Sequence, residues 1–350
     1  MTTLALLHHL AFAGALALLS AAAVRAMISV RLLDRPDARK AHVVPTPKGG
    51  GVGIVLAFMV GVALLYRYAE FGRLAEPYFR GVILAAGAIA LVALLDDILD
   101  WPFTVKLAAQ VLAAVVAVGS GLYVADVRLP YLGVVQIGVL GAVLSIGWIV
   151  FATNAVNFID GMNGLVGGVV LVSCAFLAVI AAAQGGWFVY FAALILGAGA
   201  AGFLPFNYPR ARIFMGDVGS QFCGFVLAVL AIAAGRFQGV EMSFVLVPLL
   251  LSGIIFDVLF TLARRALVGE RVTQAHRGHL YQVAARAGMD PRAVAALHWG
   301  FAAFGGMLCL VFIATPAMAK PAVLLLPLPV QLVWLTVVTR RARAAGIGRW

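Results

Sequence analysis

The sequence predicts an all-α, polytopic integral membrane protein. Three observations carry that expectation. Of the 350 residues 64% are hydrophobic and only 11% charged, and the mean hydropathy is +1.06. Apolar runs recur along the chain at the length of about 20 residues that a helix needs to cross a bilayer. No soluble domain can be cut out, so the chain reads as one membrane-embedded domain over 1–350. It includes a cytoplasmic loop at 265–295 with a short amphipathic helix, and a basic tail at 340–350.

About eleven spans are expected, near 4–25, 49–66, 79–95, 104–121, 133–151, 164–183, 187–204, 219–235, 244–264, 296–314 and 321–339. The first has cations after its apolar run and none before, the reverse of a signal peptide, and reads as an uncleaved span. Pro102 stops the third span just past its acids, and Pro205 and Pro209 break the chain after the seventh. An odd number of spans puts the termini on opposite sides. With the amino terminus periplasmic and the carboxyl terminus cytoplasmic, nineteen of the 25 Lys and Arg fall on the cytoplasmic side. The net charge of +11 then has its explanation in anionic lipid, and nucleic acid is not expected as a partner. Cys174, Cys223 and Cys309 lie within spans, lack metal-ligand spacing and read as packing residues.

Against this apolar background, a few polar segments carry the chemistry. Asp96, Asp97 and Asp100 end the third span, Asp160 sits in NAVNFIDGMNG, Asp217 in FMGDVGS and Asp257 in IIFDVLF. A carboxylate at a membrane span is costly and persists mainly where it meets an ion, a partner charge or a substrate. Asp96 and Asp100 share a helical face while Asp97 turns away from it, giving two directions for hard oxygen ligands that suit Mg²⁺; a solvated helix end is the plainer alternative. Asn154, Asn157, Asp160 and Asn163 at intervals of three would form one helical stripe, either a site or glue between helices. Asp217, beside Gly219 and Ser220, suits a helix N-cap or a docking point for phosphate. Two basic loops, one with Asp34, Arg39, Lys40, His42 and Lys48 and one with His276, Arg277 and His279, could hold an anion or simply anchor the protein to lipid.

Taken together and in order, RPDARKAH with VPTPKGGG, LDDILD, NAVNFIDGMNGL, FNYPRARIFMGDVGS and AHRGHLYQ resemble the polyprenyl-phosphate N-acetylhexosamine-1-phosphate transferases, over about residues 1–340. The resemblance implies transfer of a sugar 1-phosphate from a UDP-sugar to undecaprenyl phosphate with release of UMP. Mg²⁺ is the implied cofactor, with Mn²⁺ as its substitute. The first membrane step of a cell-surface glycan pathway, such as O-antigen, is implied too, with the active site facing the cytoplasm in the bacterial inner membrane. Donor, acceptor and membrane lipid are the implied partners; a homodimer is left open.

By similarity the catalytic residues are Asp96, Asp97, Asp217 and His279. Asp217, with Asp97, is the implied metal ligand, and Asp96 and Asp97 either complete that site or handle the lipid phosphate. Lys106 would neutralise that phosphate. Lys48, Asn157, Asp160, Asn163 and Asn207 would surround the uridine and diphosphate, joined in the late loop by Arg277. Asp257 would pair with Arg264 or Arg265. Many family members read HLHH in the late loop, whereas this chain has Tyr281 and Gln282 after Leu280; a different amino sugar is the implied consequence. A membrane aromatic prenyltransferase is the alternative, although the second half lacks its second aspartate-rich motif. A transporter is a further one, although the acids gather at helix ends rather than mid-depth.

Overall fold

A computed structural model describes residues 2–34, 45–68, 77–129, 133–236, 242–271, 276–348 and 350. Backbone in hydrocarbon must satisfy its N–H and C=O groups internally, and the described chain is accordingly helix after helix. The helices are α1 (Thr3–Val30), α2 (Gly51–Tyr68), α3 (Pro77–Leu99), α4 (Phe103–Gly119), α5 (Gly138–Ile159), α6 (Leu165–Gln184), α7 (Trp187–Asn207), α8 (Gly216–Arg236), α9 (Leu246–Leu250), α10 (Ser252–Leu267), α11 (Leu280–Arg286), α12 (Pro291–Ala314), α13 (Lys320–Leu325) and α14 (Pro327–Ala344).

Nine helical segments among the described residues are long and apolar enough to cross a membrane, α13 and α14 counting as one. The other two expected spans correspond to shorter pieces. One is α4, with 17 residues. The second is α9 and α10, separated at Leu251, where the backbone ladder still runs across the junction: Leu251 donates to the Val247 carbonyl at 2.9 Å and Ile255 to the Leu251 carbonyl at 2.9 Å.

The fifth span begins later than its hydropathy suggests. Residues 133–136 are not helical but form β4 (Gly133–Gln136), antiparallel to β3 (Asp126–Leu129), with Val127 opposite Val135. Apolar β-branched residues beside a turn favour a strand as readily as a helix when the run is short. A smaller pair, β1 (Leu33–Asp34) and β2 (Thr46–Pro47), leads into α2.

The axis of the bundle is α8, whose apolar window is 94% buried. It packs against α5, α3 and α2, so residues at its first turn meet the ends of all three. The approach of α2 to α8 is set by glycine: a Cβ on Gly51 would overlap the Gly219 backbone. Gly51 N–H also donates to the Met215 carbonyl at 2.8 Å, and Gly50 N–H to the Phe214 carbonyl at 2.9 Å, fixing the start of α2 onto the segment that enters α8. Small residues at such crossings are how membrane helices approach closely.

Gly51→Ala is therefore expected to lower stability by about 1–3 kcal/mol, read as a fall in the thermal midpoint of the detergent-solubilised protein. An unchanged midpoint would show that the α2–α8 contact tolerates separation.

Candidate active site

The site is built around the carboxylate of Asp217, in the first turn of α8. Its Oδ1 accepts from Asn157 Nδ2 of α5 at 3.1 Å. Its Oδ2 accepts from Lys106 Nζ of α4 at 3.2 Å and from Gln221 Nε2, one turn further along α8, at 3.1 Å. Asn157 also donates to Ser220 Oγ at 2.8 Å. Three helices thus converge on one acid, and the helix N-terminus adds its own positive end.

Asp96 and Asp97 approach from the end of α3. Lys106 Nζ lies 2.9 Å from Asp96 Oδ2, so one ammonium bridges Asp96 and Asp217. The other oxygen of Asp96 accepts the Trp101 N–H at 2.9 Å. Asp97 faces a different way: Oδ1 is 3.5 Å from Lys48 Nζ and Oδ2 accepts the Val218 N–H at 3.2 Å. Gly216 has φ +76, and a Cβ there would lie 2.6 Å from Asp97 Oδ2. Glycine is needed at that position both for the backbone conformation and for the close approach of the acid. Asp100 does not share this arrangement. Its φ of +52 ends α3, and it is exposed rather than stacked beneath Asp96.

Two of these residues escaped the sequence reading. Gln221 Oε1 accepts from Gln110 Nε2 at 2.9 Å, and Gln110 Oε1 accepts from Asn154 Nδ2, whose same nitrogen donates to the Val150 carbonyl at 2.8 Å. A carboxylate only accepts, so Gln221 must turn its nitrogen toward Asp217, which forces the orientation of each amide behind it. The signal was available: Gln110 lies one helical turn after Lys106, and Gln221 one turn after Asp217, in otherwise apolar helices.

The stripe of Asn and Asp is only half a stripe. Asn154 and Asn157 lie on α5, but the helix ends at Ile159, with Asp160 at the C-cap and Asn163 in the turn before α6. Gly164, at φ +75, closes that turn. Asn207 is engaged by backbone: its Oδ1 accepts the Gly164 N–H at 2.6 Å and its Nδ2 donates to the Ile213 carbonyl at 2.9 Å. It ties the end of α7 to the turn before α6. Asp160, just beyond the end of α5, has its carboxyl held well above the ordinary carboxylate range, first by burial and then by the charges of Asp217 and Asp97.

In the late loop Asp257 does not meet Arg264 or Arg265. Its Oδ1 accepts from the Leu280 N–H at 2.9 Å, lies 3.0 Å from His279 Nδ1, and accepts from Thr261 Oγ1 at 3.2 Å, while Oδ2 accepts the Tyr281 N–H at 3.1 Å. A buried acid is thus compensated by the free N–H groups that open α11. Arg265 instead pairs with Glu270 at 2.6 Å. Tyr281 is fully buried, its hydroxyl donating to the Phe158 carbonyl at 3.3 Å, and Gln282 Oε1 accepts the His279 N–H at 3.3 Å. Tyr281 thereby braces the loop against α5, and Gln282 braces the start of α11 from within the loop. His276 stacks on His279 with ring centroids 5.0 Å apart. Burial, followed by His279, Arg265 and Arg264, pushes its pKa down to about 4, so it is neutral at pH 7. Arg277 Nε is buried and takes no protein hydrogen bond among the described residues. Arg39, Lys40 and His42 lie outside the described residues.

Acids, amides and lysines are thus gathered at one set of helix ends of a multi-pass membrane bundle. The profile of glycosyl transferase family 4 matches residues 79–235, which carry Asp96, Asp97, Lys106, Asn157, Asp160 and Asp217. The chain is 30% identical to a probable undecaprenyl-phosphate N-acetylglucosaminyl 1-phosphate transferase of Bacillus subtilis, over 73% of this chain and 70% of the relative. It is 31% identical to decaprenyl-phosphate N-acetylglucosaminephosphotransferase of Mycobacterium tuberculosis, over 79% and 75%. With an undecaprenyl-phosphate alpha-N-acetylglucosaminyl 1-phosphate transferase of Thermotoga maritima it shares 29% identity over 73% of each. The chain belongs to glycosyl transferase family 4, among the polyprenyl-phosphate N-acetylhexosamine-1-phosphate transferases.

Asp160→Asn is expected to raise the thermal midpoint at pH 7. A carboxyl whose native pKa is raised stabilises the fold only while protonated, so the native state loses stability as pH climbs from the unfolded value of about 4; the amide removes that loss. The gap between variant and wild type should narrow as pH falls, and a midpoint lowered at pH 7 would contradict the assignment.

Proposed function

We propose that the protein transfers an N-acetylamino-sugar 1-phosphate from a UDP-sugar to undecaprenyl phosphate, releasing UMP and leaving an undecaprenyl-diphospho-sugar. This would be the first membrane step of a cell-surface glycan pathway such as O-antigen. The reading places the protein in the bacterial inner membrane with the amino terminus periplasmic and the site facing the cytoplasm, where a soluble nucleotide donor is met. The observation that carries it is the convergence of Asp217, Asp96, Asp97, Lys106 and Asn157 at the ends of α3, α4, α5 and α8, with Lys48 from the segment entering α2. N-acetylglucosamine stands in the printed names of the Bacillus, Mycobacterium and Thermotoga relatives, which makes UDP-N-acetylglucosamine the first donor to test.

Among the described residues no three His, Cys, Asp or Glu side chains form a ready-made metal cage. Mg²⁺ does not need one, because it is held by one or two carboxylates together with waters and substrate phosphates. Hard oxygens on Asp96 and Asp217, already sharing one cation, fit that pattern, and Asp97 stands beside them for a second contact or for the lipid phosphate. When bound, Mg²⁺ or Mn²⁺ would neutralise charge on the diphosphate and on the departing UMP.

The chain's own groups do the rest. An acceptor phosphate has a second pKa near 6, so its attacking oxygen is largely deprotonated at pH 7 and needs orientation more than a base. Lys106 and Lys48 supply charge on either side of the acids. Asn157 near the end of α5, Asp160 at its C-cap and Asn163 in the turn that follows are suited to the polar edges of a uridine and diphosphate. Arg277 shares the late loop with His279, and the Asp257 contact on His279 Nδ1 leaves Nε2 of that ring for substrate. Family membership leaves no support for the prenyltransferase and transporter readings.

UMP release by purified protein, given Mg²⁺, undecaprenyl phosphate and a panel of UDP-N-acetyl sugars, tests the proposal. Release that requires both lipid and metal is expected with one donor, and a well-folded Asp217→Asn variant should lose about a hundredfold or more. Undiminished turnover in that variant would remove Asp217 from the chemistry, and release independent of the lipid would remove the acceptor.

A further inference from the structure

We propose that Lys106 is a resident stand-in for the divalent cation: its ammonium holds Asp96 and Asp217 together in the substrate-free protein and gives way when the metal arrives. The inference rests on the reading that these acids bind a metal.

The ammonium lies 2.9 Å from Asp96 Oδ2 and 3.2 Å from Asp217 Oδ2, so it sits on the oxygens that a hard cation would use. A Mg²⁺ ion approaches its oxygens to about 2.0–2.1 Å. Two cations cannot share that space, and at such separations their repulsion is large. One must leave.

What remains after Lys106 departs is already braced. Asp96 Oδ1 is held by the Trp101 N–H. Asp217 keeps Asn157 on Oδ1 and Gln221 on Oδ2, and Gln221 is fixed in turn by Gln110 and Asn154. Gln110 and Gln221 are 2% and 4% exposed and bonded to each other, whereas the Lys106 side chain is 23% exposed. A flexible four-carbon stem carrying a strongly hydrated head is the group built to move. Asp97 has its own cation in Lys48, so it need not take over Lys106. Displaced toward the open side, the ammonium becomes available to a phosphate oxygen. Neutral amides would thus set the direction of Asp217, while a mobile charge keeps the two acids apart from bulk cations until substrate and metal come together.

The test is Mn²⁺ binding to the substrate-free, detergent-purified protein, measured by the electron paramagnetic resonance signal of free Mn²⁺. Wild type and Lys106→Met are compared, with and without Asp217→Asn, and thermal melting checks that each is folded. Lys106→Met is expected to bind Mn²⁺ about tenfold more tightly or better, and Asp217→Asn to abolish that binding in both backgrounds. Should Lys106→Met not fold, Lys106→Gln carries the same comparison. If the lysine variant binds equally or more weakly while Asp217→Asn still abolishes binding, the stand-in role is overturned and the metal site survives. If Asp217→Asn leaves Mn²⁺ binding intact, the metal reading fails first and the role of Lys106 falls with it.

Discussion

Everything at this site depends on compensating the Asp217 carboxylate at the first turn of an almost wholly buried helix. The side chain is 29% exposed, and what it loses of water on the protein side is replaced by donors. Asn157, Lys106 and Gln221 donate to it from three helices, and the dipole of α8 points its positive end the same way. Because those donors lie on α4, α5 and α8, holding the carboxylate also holds the helices in register. The α2–α8 crossing at Gly51 and Gly219 then brings Lys48 within reach of Asp97. Stability and chemistry are built from the same contacts.

A second buried acid organises the other half of the site by a similar device. Asp257 in α10 collects the His279 ring and the first N–H groups of α11, so a membrane helix fixes the start of that short helix. Tyr281, packed against Gly161 and bonded to the Phe158 carbonyl, then ties that loop to the end of α5. The two acids thus join through the α5–α6 turn, where burial first, and then the charges of Asp217 and Asp97, raise the pKa of the Asp160 carboxyl.

The spans were legible because a bilayer imposes a length and a composition that no other environment does, and the acids because charge is rare in that background. Lys48, Lys106, Asn157, Asp97 and Asp217 were named from sequence, and the fold gathers them. Harder to read was anything decided by tertiary pairing. The strand at 133–136 looks like the start of a span because a short apolar run has no period of its own. The backbone bonds of the Asn207 amide and the burial of Tyr281 depend on elements distant in the chain and have no signature in the local sequence. Gln110 and Gln221 were overlooked because amides in helices carry no motif, although their spacing from Lys106 and Asp217 placed them on the right faces.

The central claim is that the Asp217 cluster binds a donor diphosphate through a shared divalent cation. Pulsed electron-nuclear double resonance on the protein loaded with Mn²⁺ and UDP-N-acetylglucosamine addresses it directly, because a metal-bound phosphate oxygen places ³¹P within coupling range. The account predicts a strong ³¹P coupling that disappears in a folded Asp217→Asn variant. Bound Mn²⁺ without ³¹P coupling, or a coupling that survives that substitution, would contradict it.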